Sequence, residues 1–351
     1  MVAKEKVRVA VPQIEPSWLD KDSGLQRILE VIKEASEEDA KLIAFGELFL
    51  PGYPSFLYGG RMNDVYKHGI QYANNAVEVD GPEIAAIRYA ARDNKIIVHV
   101  GFTERDGKSL YMSNVIIDEH GEVLLHRRKI KPSHYERVLH GEGGPESAIN
   151  CVETSIGRIS VLNCWEHFQP LLKFHTYHQR PLIHIAAWPM LHPYGGEEQW
   201  AHCVDSGVGV TRTVACESGA FVLCATNILT EKGMKINHVP GISVNTGDAA
   251  GHIQPGGGFS AVYAPDGSKL SKDISDLEET VLYVDLDLDM VPFAALVQDT
   301  VGHYSRPDMF HLVVKSQPAP LVVYQTEDGK QISAPSRVKP FKALPPLEGH
   351  L

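Results

Sequence analysis

Three apolar runs of the sequence each end in a residue whose side chain can do hydrolytic chemistry. The run at 161–164 ends in Cys164, the run at 41–47 in Glu47, and the run at 123–129 in Lys129. A thiol can attack an electrophilic carbon, a carboxylate can carry its proton, and an ammonium group can stabilise developing negative charge. With Glu136, which follows Lys129 closely, these residues predict one hydrolytic site at the ends of strands.

The segment VLNCWEH around Cys164 passes from apolar to polar and aromatic residues. This pattern predicts a turn from strand to helix, where a helix N-terminus would stabilise a thiolate. Packing in the core is the alternative, because free cysteines are among the most buried residues. The other cysteines lack this setting and are expected to pack.

The elements that must position these residues alternate between strand and helix periodicity. Apolar alternation predicts a strand at 6–13, and apolar residues three and four apart predict a helix at 22–40. Runs at 110–118 and 122–130 flank a glycine and predict an antiparallel hairpin. The sequence further predicts helices at 82–93, 169–179 and 197–217, and strands at 41–47, 95–104, 158–165, 182–188 and 220–226, with two last strands at 257–267 and 280–289 joined by a turn. This mixture predicts an α/β protein whose sheets are covered by helices, with two packed sheets as one possibility.

Composition excludes several classes of protein. The chain has 351 residues, 43% of them hydrophobic, and no apolar run long enough to cross a membrane. A net charge of −11 opposes binding to nucleic acid. Five cysteines without a paired framework, and an N-terminus that leads directly into a strand pattern, predict a cytoplasmic protein with reduced thiols.

Two other kinds of hydrolytic site are disfavoured. No G-x-S-x-G segment occurs, which argues against a serine hydrolase of the common α/β type. Cys164, His167, His175 and His178 could suggest a metal site, but no H-E-x-x-H or paired C-x-x-C segment accompanies them. We therefore expect no metal.

Four blocks in order resemble the nitrilase superfamily, and specifically its true nitrilase branch. The blocks are FGELFLPGYP, HRRKIKPSHYERVLHGEG, VLNCWEHFQPL and HIAAWP, and the similarity continues to GHYSRPDMFHL at 302–312. The resemblance implies that Glu47 is the catalytic glutamate, Cys164 the nucleophile and Glu136 the second glutamate. Of the two lysines in RRKIKP it selects Lys129 rather than Lys131, because the family lysine directly follows an arginine.

The resemblance also implies an αββα sandwich that pairs to αββααββα in a homodimer, often within larger spiral assemblies. No cofactor is implied, and the residues CWEH favour a small-molecule nitrile over an amide as substrate. We expect a carbon-nitrogen hydrolase domain at 1–315 and a proline-rich, extended or partly disordered tail at 316–351.

Aromatic and polar residues near the four blocks are candidates for contact with the substrate. Glu166 is expected to hold the site together rather than to catalyse. An amidase or a cyanide-hydrolysing relative remains an alternative, as does an inactive protein that forms filaments or binds a partner. The candidate substrate-binding residues, for each of which core packing is the alternative, are Trp165, Trp188, Tyr53, His192 and Tyr194.

Overall fold

The computed structural model describes residues 6–58, 62–193, 199–237, 253–315, 323–333 and 344. The helices are α1 Lys21–Glu37, α2 Met62–Asn74, α3 Pro82–Asn94, α4 Pro170–His178, α5 Val204–Ser218, α6 Glu231–Ile236 and α7 Met290–Val297. The strands are β1 Lys6–Gln13, β2 Leu42–Ala44, β3 Ile97–Asp106, β4 Ser109–Ile117, β5 Val123–Arg128, β6 His140–Gly141, β7 Cys151–Val152, β8 Ile159–Asn163, β9 Ile183–Ala187, β10 Phe221–Ala225, β11 Ala261–Tyr263, β12 Thr280–Asp287, β13 Val323–Gln325 and β14 Gln331–Ser333.

Two mixed sheets form the centre of the molecule. The first has the order β12-β1-β2-β3-β4-β5, with β6 added to β4, and the second has the order β11-β10-β9-β8-β7. The strands β1, β2 and β3 run parallel, as do β8, β9 and β10. Each sheet therefore has a parallel centre, so that the carboxyl ends of its central strands meet at one edge.

The two sheets pack face to face, with helices on their outer faces. Val9 and Val11 of β1 contact a buried cluster that includes Val161 of β8 and Ile185 of β9. On the opposite face of the first sheet, α1 and α3 pack in a second apolar cluster. Helices α4 and α5 cover the outer face of the second sheet. The predicted αββα sandwich is confirmed.

Several predicted elements are found with small changes, and the turn predicted between the last two strands is wrong. The hairpin of β4 and β5 forms as predicted. The helix predicted from 197 begins at Val204, because Cys203 is extended, with φ −87° and ψ 169°. The strands β11 and β12 do not pair with each other: β11 pairs with β10 and β12 with β1, in different sheets. The turn predicted between them is instead a longer connection, residues 264–279, which leads from one sheet to the other. The periodicity also missed α2 and α7.

The described part of the proline-rich tail contains one element. The strands β13 and β14 pair as an antiparallel hairpin, and the backbone N–H of Leu344 donates to the Glu122 carboxylate over 3.4 Å. The boundary between domain and tail near 315 stays a prediction. In the described ranges, no helix is long and apolar enough to cross a membrane.

Candidate active site

The four predicted catalytic side chains converge at the edge where the ends of both sheets meet. Glu47 follows β2, Lys129 follows β5 and Cys164 follows β8, while Glu136 lies on a short 3-10 helix at His134–Val138. A carboxylate oxygen of Glu47, a carboxylate oxygen of Glu136 and the Cys164 Sγ all lie within 4.8 Å of one another. The strand ends therefore bring together residues that are up to 117 positions apart in the chain (164 − 47).

Lys129 lies at the centre of this cluster. Its Nζ is 3.0 Å from Glu47 Oε1 and 2.8 Å from Glu136 Oε2, and all three side chains are buried. Burial acts to lower the pKa of Lys129, but the carboxylates of Glu136 and Glu47 outweigh it and raise this pKa well above its usual value. The lysine is thus held as a cation in a site that excludes water.

The carboxylate of Glu136 is fully engaged by donors. Its Oε1 accepts from the Tyr53 hydroxyl over 2.9 Å, and its Oε2 accepts from Lys129 and from the backbone N–H of Ser133. Ser133 and Glu136 form a reciprocal capping box at the start of the 3-10 helix. Glu136 is therefore fixed in place by three donors.

Glu47 differs from Glu136 in its surroundings. Its backbone is anchored by Trp188, whose carbonyl accepts from the Glu47 N–H, and by Asn227, whose side chain donates to the Glu47 carbonyl. Within the described residues, its carboxylate oxygens accept no well-formed hydrogen bond, although Oε1 is paired with Lys129 by charge. Burial raises the pKa of Glu47 to about 8, with Lys129 opposing the shift. This carboxyl group can take up and release a proton near neutral pH.

The residue before Glu47 allows the backbone of this loop to approach its neighbours closely. A Cβ added to Gly46 would lie 2.4 Å from Asn227 Oδ1 and 2.8 Å from the Trp188 carbonyl oxygen. Glycine is therefore required for the contacts that anchor Glu47.

Cys164 lies at the sharp turn between β8 and a 3-10 helix at Cys164–Phe168. Its φ is +44°, a left-handed conformation that costs a non-glycine residue on the order of 1–3 kcal/mol. The side chain is 8% exposed. Burial raises the pKa of the thiol well above its usual value, whereas Lys129 and the backbone N–H of Trp165 act to lower it. Since the thiol is protonated at rest, it needs a base at short range to become nucleophilic.

A buried ion pair between Arg127 and Glu166 supports the turn at Cys164. Glu166 accepts two hydrogen bonds from Arg127, of 2.7 and 2.8 Å, and further ones from the backbone N–H groups of Ile130 and Asn163. Burial acts to raise the pKa of Glu166, but Arg127 and these donors lower it. Glu166 thus links the segment after β5, which carries Lys129, to the turn that carries the thiol, in agreement with the structural role expected from the sequence.

Arg127→Leu is expected to lower the free energy of unfolding by about 3–5 kcal/mol, because it leaves the Glu166 carboxylate buried without its cation. Urea denaturation at pH 7 measures this change. The control is Arg158→Leu, which breaks an exposed pair with Glu153 and should cost less than about 1 kcal/mol. Equal losses in the two variants would show that the buried pair does not support the turn.

A cavity opens above Cys164. Its volume is about 180 Å³, and aromatic side chains form much of its wall. Four of the five residues predicted to contact a substrate line it: Tyr53, Trp165, Trp188 and His192. Tyr194 lies outside the described residues.

Further residues line the wall of the cavity that were not predicted from the sequence. Tyr58 donates to or accepts from the Tyr53 hydroxyl over 2.8 Å, while His134 and His202 pair through their Nε2 atoms over 3.2 Å beside Trp165. Tyr58 follows the block FGELFLPGYP closely and His134 lies within HRRKIKPSHYERVLHGEG, so both could have been proposed from their positions. His202 carries no such signal, because only folding brings the short 3-10 helix Trp200–His202, which precedes α5, to the cavity. The missed residues are Tyr58, His134, Tyr135, Met190, Leu191 and His202.

The geometry does not favour the metal site that the cysteine and histidines suggested. His167 Nδ1 is 2.7 Å from the Cys164 carbonyl oxygen, and its Nε2 is 3.0 Å from His184 Nε2. In the parts of the chain that the structure describes, the acidic cluster Glu47, Glu136 and Cys164 has the compactness of a metal site. The Lys129 ammonium, however, lies within 3.0 Å of both carboxylates and already supplies the positive charge.

The sandwich and its buried cluster of glutamates, lysine and cysteine define a class of α/β enzymes with a thiol at a strand end. The chain belongs to the carbon-nitrogen hydrolase family, whose sequence model matches residues 8–295. An arylacetonitrilase from Aspergillus kawachii is 40% identical over 311 residues, which are 88% of this chain and 92% of that protein. A cyanide hydratase from Armillaria gallica is 38% identical over 308 residues, which are 88% of this chain and 85% of that protein.

Solved structures show the same fold at much lower identity. A carbon-nitrogen hydrolase from Helicobacter pylori superposes with a TM-score of 0.66 at 16% identity, and the match covers 87% of this chain and 97% of that one. The likeness supports the sandwich assignment.

Proposed function

We propose that this enzyme is a nitrilase that converts an arylacetonitrile, a nitrile with an aromatic ring one carbon from the nitrile group, to the carboxylic acid and ammonia. The observation that carries the proposal is the buried contact of Lys129 with both Glu47 and Glu136, beside the Cys164 thiol at the floor of an aromatic cavity. Its relatives named as arylacetonitrilases support the choice of substrate.

In the first step, Glu47 takes the proton of the Cys164 thiol while the sulfur attacks the nitrile carbon. One carbon–nitrogen π bond breaks, a carbon–sulfur bond forms, and Glu47 passes the thiol proton to the nitrogen, which gives a covalent thioimidate and leaves Glu47 as a base again. Lys129 donates to the nitrogen as negative charge develops there. Glu136 keeps Lys129 in position and charged.

In the second half, Glu47 takes a proton from a water molecule that adds to the thioimidate carbon. Glu47 returns this proton to the nitrogen, and the tetrahedral species expels ammonia as its hydroxyl proton moves to the leaving nitrogen and the carbonyl of a thioester forms. A second water, deprotonated by Glu47 in the same way, hydrolyses the thioester to release the acid and regenerate the thiol. If the tetrahedral species expels the thiol instead, an amide is released. Each step uses only water and the side chains of Glu47, Lys129, Glu136 and Cys164.

The cavity fits a single aromatic ring with a short substituent. Its volume of about 180 Å³ slightly exceeds the roughly 150 Å³ of an engineered protein cavity that binds benzene. Trp165, Trp188 and the stacked pair of Tyr53 and Tyr58 offer ring faces and edges to an aromatic substrate. We infer that these residues bind the ring, while Cys164 reaches the nitrile carbon.

The test is a paired assay of ammonia and organic product with phenylacetonitrile, benzonitrile, a small aliphatic nitrile, cyanide and phenylacetamide. We expect the highest kcat/KM with phenylacetonitrile, and phenylacetic acid as its main product. Highest activity on cyanide, with formamide as product, would favour the cyanide hydratase activity named for another relative. Hydrolysis of the amide alone would make the enzyme an amidase. Inactivity on every substrate would favour a filament or binding protein.

The pH profile follows from the raised pKa of Glu47. Because a base must be unprotonated to act, kcat/KM for phenylacetonitrile should rise with pH along an acid limb displaced from 4.5 toward about 8. This limb belongs to the coupled cluster of Glu47, Lys129 and Cys164 rather than to one group. Phenylacetonitrile does not ionise in this range, so the limb reports the enzyme. An acid limb centred near 4.5 would contradict the environment assigned to Glu47.

We also propose that the enzyme associates with copies of itself. Helix α7 presents an apolar surface, on which Phe293 is 69% and Leu296 is 79% exposed. Exposed apolar side chains grouped on one helix are typical of protein interfaces. Sedimentation velocity should show a dimer or larger assembly, which the double variant Phe293→Glu and Leu296→Glu dissociates. A monomeric wild type would contradict the proposal.

The cytoplasmic location also stays a prediction, which cell fractionation tests.

A further inference from the structure

Behind the nucleophile, three buried polar side chains form a line of hydrogen bonds. His167 Nδ1 is 2.7 Å from the Cys164 carbonyl oxygen, His167 Nε2 is 3.0 Å from His184 Nε2, and His184 Nδ1 is 2.8 Å from Ser160 Oγ. All three side chains have 0% exposure. Ser160 and His184 are direct partners in the register of β8 and β9. The line therefore runs from the middle of the second sheet to the backbone of Cys164.

The proton positions in this line follow from the groups at its ends. Burial lowers the pKa of His167 to about 4 and that of His184 well below its usual value, so both rings are neutral at pH 7. A carbonyl oxygen only accepts, so His167 must carry its proton on Nδ1. Its Nε2 then accepts from His184 Nε2–H, and His184 Nδ1 accepts from the Ser160 hydroxyl. Each link fixes the tautomer of the next.

The backbone that receives this line is in an unfavourable conformation. Cys164 has a φ of +44°, and a conformation of this kind persists where the surrounding structure enforces it. The Glu166 capping box holds the backbone of Asn163, the residue before Cys164, through the Asn163 N–H. The carbonyl after the Cα is held by His167, whose ring stacks on Trp188 with centroids 5.4 Å apart at 20°. The two sides of the nucleophile are thus held by different partners.

We propose that His167 and His184 are positioning residues, which together with Ser160 hold the Cys164 backbone so that its sulfur faces the nitrile carbon and Glu47. The inference rests on the proposed function, in which Cys164 is the nucleophile. None of the three residues contacts the reacting atoms through its side chain in this arrangement. Their effect acts through the orientation of Cys164, so it should appear in kcat rather than in binding of the ring.

The first test compares His167→Leu with His167→Asn. Leucine removes the donor to the Cys164 carbonyl, whereas the asparagine amide can place an N–H where Nδ1 lies. We expect His167→Leu to lower kcat for phenylacetonitrile about 10- to 100-fold, the size of effect that a misplacement near 1 Å produces. KM should change less than about threefold, and His167→Asn should recover most of the lost kcat.

Each kcat is divided by the fraction of molecules with a competent site, taken as the folded fraction that circular dichroism gives for that variant. A merely structural role would lower that fraction and leave kcat per competent site unchanged. A His167→Leu value within about twofold of wild type, or an asparagine variant no better than the leucine variant, would overturn the proposal.

The far end of the line gives a test that does not depend on the folding of His167→Leu. Ser160→Ala removes only the hydroxyl that donates to His184 Nδ1, so the His184 ring loses its anchor on that side, and it should lower kcat per competent site about three- to tenfold. Ser271→Ala is the matched control, because Ser271 is a buried serine whose hydroxyl accepts from the Val262 N–H, away from the site. Equal kcat values for the two serine variants would overturn the proposal. Cys164→Ala is assayed alongside, since activity in that variant would refute the nucleophile itself, separately from its positioning.

Discussion

Lys129→Met is expected to lower kcat/KM for phenylacetonitrile by at least about 10³-fold, because it removes the charged donor to the nitrogen of the developing thioimidate. Methionine matches the length of lysine but carries no charge. The comparison is with Lys131→Met, since Lys131 is 55% exposed and pairs with exposed Glu142. The second variant should keep activity within about twofold. Loss of activity in Lys131→Met and not in Lys129→Met would show that Lys131, rather than Lys129, is the catalytic lysine.

The same Lys129→Met change should make stability depend more strongly on pH. Without the ammonium group, Glu47 loses the cation that opposes the upward shift of its pKa and faces the Glu136 carboxylate in a buried site, which raises the pKa of Glu47 further in the folded state. A folded pKa above the unfolded one means that stability is lost as pH rises from about 4.5 upward. Urea denaturation at pH 5 and pH 8 should therefore show a larger deficit at pH 8, and adding Glu136→Gln should reduce the deficit without restoring activity.

Glu47→Gln is expected to lower kcat about 10³- to 10⁴-fold, since the group serves as base for the thiol and again for water. The change is close to isosteric, so the cavity and the binding of substrate should remain. Rapid-quench experiments should show slow formation of the thioimidate, together with slow alkylation of Cys164 by iodoacetamide. These kinetic measurements are compared with the wild type only if Glu47→Gln has the same melting temperature as the wild type.

A second buried glutamate provides the control for that prediction. Glu83 is 6% exposed and pairs with Lys21 at the start of α3, far from Cys164 in the fold. Glu83→Gln should cost stability and leave kcat within about twofold. A Glu47→Gln enzyme with more than about a tenth of wild-type kcat would exclude Glu47 as the general base.

Sequence patterns predicted the strands that carry the site because the apolar runs are strong and each ends in a reactive residue. The placement of Glu47, Lys129 and Cys164 at one edge could be expected once a parallel centre was assumed for each sheet. The assignment of β11 and β12 to different sheets could not be expected from the sequence. Strand periodicity does not name the partner strand, and the choice of partner depends on packing across the whole sandwich.

The distinction between the two glutamates also needed the structure. Both follow predicted strands, and nothing in the sequence says that Glu136 accepts from Tyr53 and Ser133 while the Glu47 carboxylate keeps free acceptor capacity. The line of hydrogen bonds from Ser160 to His167 could not be predicted from the sequence either. His184 lies in an apolar strand and Ser160 in another, and their contact is a consequence of strand register.

The most direct test of the central claim is mass spectrometry of the wild type and Cys164→Ala, acid-quenched during turnover of phenylacetonitrile. If Cys164 is the nucleophile, a Cys164-containing peptide of the wild type should gain the mass of the nitrile or of the phenylacetyl group. Cys164→Ala should carry no adduct and release no ammonia. Ammonia release by Cys164→Ala at a rate near that of the wild type would contradict the account.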